Sequence, residues 1–474
     1  MSSIEQIRQR ILEGSILRTA LWLAWPLMIA QLVNVSYNII DSIWLGRLGP
    51  KAFAAPMVCS PLIMFIYSIG AIAMGGLSLV SQYVGAGDFR SAERSAGQLI
   101  SFTFMVGVAL SVAGFIIAPA ALKLMGVPSE VYPLALAYMR TIFIGVPIAI
   151  GGLAYVMISN AVGDTRTPTK LNIASALTNI ALDPLLIFGI GPFPRLGVVG
   201  AAVATIASRS ITTFVGLYKL FRGFGGFRVR LEDLKLETKW IKKVLTIGVP
   251  ISIQQSTTSL GFVVLMGIIS RFGTVQIDAY GVALRIMQID QAIVFGLNRA
   301  MSIMVGQCIG AELYDRAKKV AKRVGLFIFA SMCAIAAGIV ALAPLVIWIF
   351  VPDPRVVQAG TVLLRVFAPS MPAFALIAMA QGIGRGSGHT KVPAALSIAR
   401  LWGLRVPLAL ILPSLGLGVL GVWLAMTVSN VVIGAAAWVW ISRGSWLKRV
   451  VEIPAVGKVS PVSGFGGAGG APTG

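Results

Sequence analysis

Apolar runs long enough to cross a bilayer as helices, at least about 20 residues each, follow one another along almost the whole chain. They fall near 18–45, 53–82, 97–122, 131–158, 169–193 and 198–220, and again near 242–270, 278–307, 322–350, 358–384, 393–415 and 418–442. Short polar connections separate them. The first run lacks a small-residue cleavage site, so it is expected to form the first span rather than a removed signal. Ahead of it, Ile4, Ile7 and Ile11 share a helical face among Arg8 and Arg10, which predicts a short interfacial helix within 1–17. The segment 446–474 ends in GFGGAGGAPTG and is expected to be disordered.

Composition agrees with lipid as the solvent. The chain is 57% hydrophobic and only 12% charged, against about 25% charged in a typical soluble domain. Its 52 glycines suit helices that approach one another closely in a membrane. A net charge of +22 would suit a nucleic-acid binder if it formed one patch, but it does not. Basic residues gather in every second connection: Arg90 and Arg94; Arg166 and Lys170; the run from Arg228 to Lys243; Arg316 to Arg323; Arg385 and Lys391. Such alternation is the positive-inside pattern. It predicts a multi-pass protein of the cell membrane with both termini in the cytoplasm, the lipid bilayer as partner and no nucleic acid. Cys59, Cys308 and Cys333 show neither metal spacing nor a disulfide framework and read as small core residues.

The spans repeat. SQYVGAGDFRSAERS (81–95) aligns with GQCIGAELYDRAKKV (306–320), matching Gln82 to Gln307 and Gly85 to Gly310 at an offset of 225. The same offset pairs Arg140 with Arg365, Pro147 with Pro372 and Gly163 with Gly388, and it drifts by one near the start, where Pro26 faces Pro250. Chance matches scatter over offsets. An even number of spans per repeat gives both halves the same orientation, so their pseudo-two-fold axis runs along the membrane normal. The fold class is therefore an all-α integral membrane protein of about twelve transmembrane helices in two homologous six-helix lobes. The lobes are placed at 18–220 and 242–445, joined by a basic linker at 221–241. A cleft between two such lobes suits a solute carrier that rocks about it.

Candidate chemistry sits where the repeats differ. Gln31, Asn34, Asn38 and Asp41 share one helical face bordered by Tyr37, while the matching face of the seventh span reads Gln255, Thr258, Phe262 and Leu265. A carboxylate deep in a span is costly and marks an ion or proton pathway. Asn179 and Asp183 repeat the theme on the fifth span, with Pro184 following, and Thr205 on the sixth could add an oxygen. Two neighbouring buried acids repel, and a shared proton or an alkali cation relieves that repulsion. The set Asp41, Asn179, Asp183 and Thr205 is thus the candidate coupling site, with sodium as its metal. Pro26 removes a backbone hydrogen bond in the first span and predicts a kink. Substrate contacts are expected from Gln31, Asn34, Tyr37, Asn38, Tyr138 and Asn160. In the second half Arg285, Asp290, Arg299, Arg400 and Arg405 read as structural ion pairs, and His389 as a solvated loop residue.

Together with the repeat length, VGAGDFRSAERS and IGAELYDRAKKV, VPSEVYPLALAYMR (127–140), GDTRTPTK (163–170) and LDPLLIFG (182–189) resemble the multidrug and toxic compound extrusion (MATE) transporters over about residues 15–445. The resemblance implies a V-shaped antiporter that expels organic cations or related drugs in exchange for protons or sodium. Asp41 with Asn179, Asp183 and Thr205 looks like the first-lobe cation site of the DinF-like branch, in which a proline-bearing first helix bends. The NorM branch places an acid in the seventh span, where this chain has Gln254, Gln255, Thr257 and Thr258. No cofactor is implied, and a monomer is expected. A lipid-linked oligosaccharide flippase of the same superfamily is the alternative; it would want an arginine-rich cleft, and Arg400 and Arg405 speak for it. An intramembrane enzyme would need a nucleophile–base pair or a metal cluster, and the sequence offers neither.

Overall fold

In hydrocarbon a backbone amide finds no water, so each apolar run closes its own hydrogen bonds as a helix. The computed structural model describes residues 3–452, and of Ile289 and Asp290 only the backbone. Most of the predicted tail, 453–474, lies outside the described residues. The helices are α1 (Ser3–Glu13), α2 (Ile16–Leu48), α3 (Pro50–Gly70), α4 (Gly75–Ala86), α5 (Phe89–Leu124), α6 (Tyr132–Ala161), α7 (Arg166–Phe188) and α8 (Val198–Arg222). The second half holds α9 (Thr238–Ser270), α10 (Thr274–Gly310), α11 (Tyr314–Phe350), α12 (Pro354–Phe367), α13 (Met371–Ser387), α14 (Lys391–Ile398), α15 (Val406–Leu412) and α16 (Gly418–Arg443). Among the described residues the only extended pairing is one bridge, Phe224 with Phe227.

Among the described residues eleven helical stretches are long and apolar enough to span. The last of them, Lys391–Arg443, breaks where Leu415 and Gly416 leave helical geometry, and α15 then packs back against α16. That makes twelve crossings. Short 3-10 turns join α3 to α4 and α12 to α13, so each pair crosses as one unit. Large apolar side chains such as Ile116, Leu345 and Trp348 stay exposed, as lipid-facing positions should.

The two lobes exchange the beginnings of their first helices. Ile16, Ala20, Leu23 and Ala24 of α2 pack in the core of the second lobe, whereas Leu45, near the far end of α2, belongs to the first. In mirror fashion Trp240, Val244 and Ile247 of α9 pack in the first lobe, and Leu265, Ile268 and Ile269 in the second. Ile16, Ala20 and Leu23 stand opposite Trp240, Val244 and Ile247 in the repeat. Pro26 and Pro250 therefore lie between the part of each helix held by the partner lobe and the part held by its own. α2 remains one helix through Pro26, whose carbonyl accepts a hydrogen bond from Thr169 Oγ1 of α7 at 3.0 Å.

At the basic-loop ends the lobes meet in a reciprocal seam. Gln82 Nε2 donates to the carbonyls of Gly386 (3.3 Å) and Ser387 (3.0 Å), and Gln307 Nε2 donates to that of Ala161 (2.9 Å). A methyl group on Gly85 would sit 2.0 Å from the Gln307 carbonyl oxygen, and one on Gly310 would sit 1.9 Å from that of Gln82. Gly163 and Gly388, also matched in the repeat, end α6 and α13 in the left-handed region (φ +93° and +84°) that glycine adopts without strain. α1 lies across the seam: Arg8 donates to the Gly85 carbonyl, and Arg316 Nε of α11 donates to that of Ile11.

Two segments are more ordered than their composition predicts. The linker is anchored to the first lobe by buried Asp233, which accepts from Arg90 at 2.9 Å and from the Arg230 amide at 2.8 Å. Residues 446–452, expected in the tail, pack instead: Trp446 is 1% exposed, and the Val450 amide donates to Gln82 Oε1. A bulky indole next to a buried seam outweighs the small polar residues that follow it.

Candidate functional site

On α7, Asn179 and Asp183 lie four residues apart and so point the same way. Asn179 Nδ2 donates to Asp183 Oδ1 at 3.3 Å, and the two residues are 1% and 0% exposed. Asp183 lies in the electrostatic field of Asp41, which α2 brings alongside α7. Three oxygens here are buried without a hydrogen-bond donor: Asp41 Oδ1, Asn179 Oδ1 and Asp183 Oδ2. Two carboxylates, an amide oxygen and no basic partner among the described residues make a donor set for a hard cation or a shared proton. Thr205 is half-buried on α8, which packs along α7, and its carbonyl accepts from Ser208 Oγ at 2.9 Å.

A cavity of about 260 Å³ lies beside this cluster. Gln31, Asn34, Tyr37, Asn160 and Asn179 line it, along with Arg209 and, from the other lobe, Arg299. Asn38 is not among its walls; its amide instead donates to the Asn34 carbonyl one turn back. Tyr138 is buried behind the cavity, within electrostatic reach of Asp41 and Arg209. Arg209 was not among the residues expected from sequence, although a charge inside an apolar run is itself a signal. Its guanidinium reaches the Tyr37 hydroxyl.

The second lobe has a matching cavity of about 310 Å³, walled by glutamines, serines and phenylalanines, with Arg400, Arg405 and Asn430. The ion pairs expected in this half do not form among the described residues. Arg400 and Arg405 both donate to the side-chain carbonyl of Asn430, at 3.1 and 2.7 Å, and neither has a carboxylate. Arg299 stacks over Phe295, and Arg285 is exposed. The side chain of Asp290 lies outside the described residues. His389 is half-buried rather than solvated; its Nδ1 is 3.2 Å from the Ser387 carbonyl, and burial holds its pKa below the ordinary 6.5.

The family model described as MatE matches residues 26–185 and 250–411, one copy in each half. The chain belongs to the MatE family. Among its relatives is "Probable multidrug resistance protein YoeA" of Bacillus subtilis (strain 168), 30% identical over 88% of this chain and 91% of its own. Another is "FAD transporter" of Shewanella oneidensis, 26% identical over 92% and 96%. A solved structure described as "Crystal structure of MATE in the bent conformation" superposes with a TM-score of 0.86 at 25% identity, covering 93% of this chain and 98% of that one. The protein is therefore a multi-pass membrane transporter of a multidrug efflux family, and not an enzyme. Within this MatE scaffold two arginines line each cavity, Arg209 and Arg299 the first and Arg400 and Arg405 the second, and among the described residues the buried pair Asp41 and Asp183 lies on the first cavity's side.

Proposed function

We propose that this MatE protein exports organic cations and related drugs by exchange with protons or sodium bound at Asp41, Asn179 and Asp183, with Thr205 completing the ligand set. The observation that carries the reading is the trio of donorless buried oxygens on α2 and α7. Charge–charge repulsion between the acids is relieved by either ion, so protons and sodium compete for one site. Loading removes the repulsion and favours bending of α2 at Pro26, where the helix passes from one lobe's core to the other's. A relative described in a bent conformation supports that hinge. Gln31, Asn34, Tyr37 and Asn160 meet the substrate, and Asn38 and Tyr138 stand close to them. The transporter works as a monomer in the cell membrane, with its basic loops and both termini in the cytoplasm.

The test is drug transport by the purified protein in liposomes, driven by an imposed pH gradient or by sodium alone. Sodium should lose its effect as pH falls. Asn179→Ala should weaken the sodium response several-fold more than the proton response, because the amide ligates the metal but is not needed to hold the proton. Sodium effects that ignore pH and survive the substitution would place the sodium site elsewhere.

A second reading rests on Arg209 and Arg299 in the walls of the first cavity. It is a pyrophosphate-bearing substrate such as that in the name of the Shewanella relative. Comparing efflux of an organic cation with efflux of flavin dinucleotide from the same liposomes separates the two.

A further inference from the structure

Two guanidinium groups deep in the second lobe have no counter-charge among the described residues. Arg405 is 2% exposed and Arg400 is 6% exposed. An arginine is always protonated and carries five N–H donors, and a buried charge without a partner is expensive. Here the two share one neutral acceptor. Asn430 Nδ2 donates to Ser370 Oγ at 3.0 Å, which turns its carbonyl oxygen toward both arginines. Arg405 adds the Ser429 hydroxyl at 3.0 Å and the Met426 carbonyl at 3.3 Å, whereas Arg400 Nε has no partner at all.

Backbone geometry holds the pair together. On an ordinary α-helix, residues five apart point about 140° away from each other, at 100° per residue. Residues Ala399–Arg405 form a π-helical stretch instead, and its i→i+5 repeat stacks Arg400 and Arg405 on one side. Such π segments cost hydrogen-bond quality and recur at functional sites. Both arginines line the second-lobe cavity, and Arg400 lies over the ring of Phe374, 5.1 Å from its centroid.

We propose that this cavity is an anion-binding subsite, which takes a phosphate or carboxylate group between Arg400 and Arg405. Either group accepts paired N–H bonds in the geometry a guanidinium presents. The group belongs to a soluble transported molecule or to a lipid head. The site does not depend on the cation cluster across the cleft, and it stands whichever reading of the main substrate holds.

Full-length protein, stripped of lipid in a neutral detergent, is titrated calorimetrically with phenyl phosphate. Saturable binding is expected, weakened at least ten-fold by Arg405→Gln and by Arg400→Gln. Because a lost arginine risks misfolding, the deciding variant is Asn430→Asp. It keeps both arginines and supplies the missing carboxylate, so phenyl phosphate binding should vanish while the thermal midpoint stays equal or rises. Asp41→Asn, which addresses the coupling site, should leave phenyl phosphate binding unchanged. Wild-type protein that does not bind phenyl phosphate, or an Asn430→Asp variant that binds it like wild type, overturns the assignment. In nanodiscs, competition by phosphatidylglycerol but not phosphatidylcholine identifies a lipid head as the natural occupant. Binding indifferent to both identifies a soluble anion.

Discussion

Asp41 and Asp183 lie within spans and have no basic partner among the described residues. A carboxylate at the centre of a span costs about 2.5–3.5 kcal/mol on insertion scales, so each acid opposes folding unless it binds something. Asp183→Asn should accordingly leave the melting temperature of the purified protein equal or higher while transport falls to background. Asp41→Asn should do the same; full drug resistance in cells expressing it at normal levels would remove it from the mechanism. Both acids were legible in the sequence because charge stands out in an apolar run. Arg209 carries the same signal, but its partners Tyr37 and Tyr138 come from α2 and α6, and their convergence on it is a matter of packing. Spacing likewise put Asn38 on the face of Asn34 and Asp41, yet it could not say that the Asn38 amide bonds back to its own helix.

Helices and their offsets were far more legible than side-chain partners, because period and length alone set a span. What the apolar pattern missed is order outside the spans. Trp446 is buried, and its indole Nε1 donates to the Ile441 carbonyl at 3.0 Å, closing the last helix onto the core. Trp446→Ala should cost about 3–5 kcal/mol, the usual range for a buried large-to-small change, read as a lower midpoint in thermal unfolding in detergent. The seam gives a second prediction at this scale. At Gly310 the atom in the way is backbone, which has nowhere to move, so Gly310→Ala should destabilise the sealed arrangement by about 1–3 kcal/mol, as overpacking does. In a Cys333→Ser background, a Ser81→Cys reporter at the seam should then react faster with a water-soluble maleimide. Equal labelling rates with and without Gly310→Ala would show that the seam does not gate this side.

At the scale of the whole molecule the two lobes differ in their buried acids, Asp41 and Asp183 of the first having Leu265 and Val406 near the matching places in the second, while the framework between them has stayed symmetric. Gln82 bonds to the second lobe where Gln307 bonds to the first, and each lobe lends the start of its first helix to the other. Contacts in which i meets j and j meets i are those of a two-fold homodimer, and an exchanged element is what a domain-swapped dimer carries. The seam thus has the symmetry of a subunit interface held inside one chain, with the linker as its tether. Expressed as two separate polypeptides, 1–222 and 223–474, the halves should find each other in the membrane and co-purify. The piece of each first helix ahead of its proline would be the handle by which one half recognises the other.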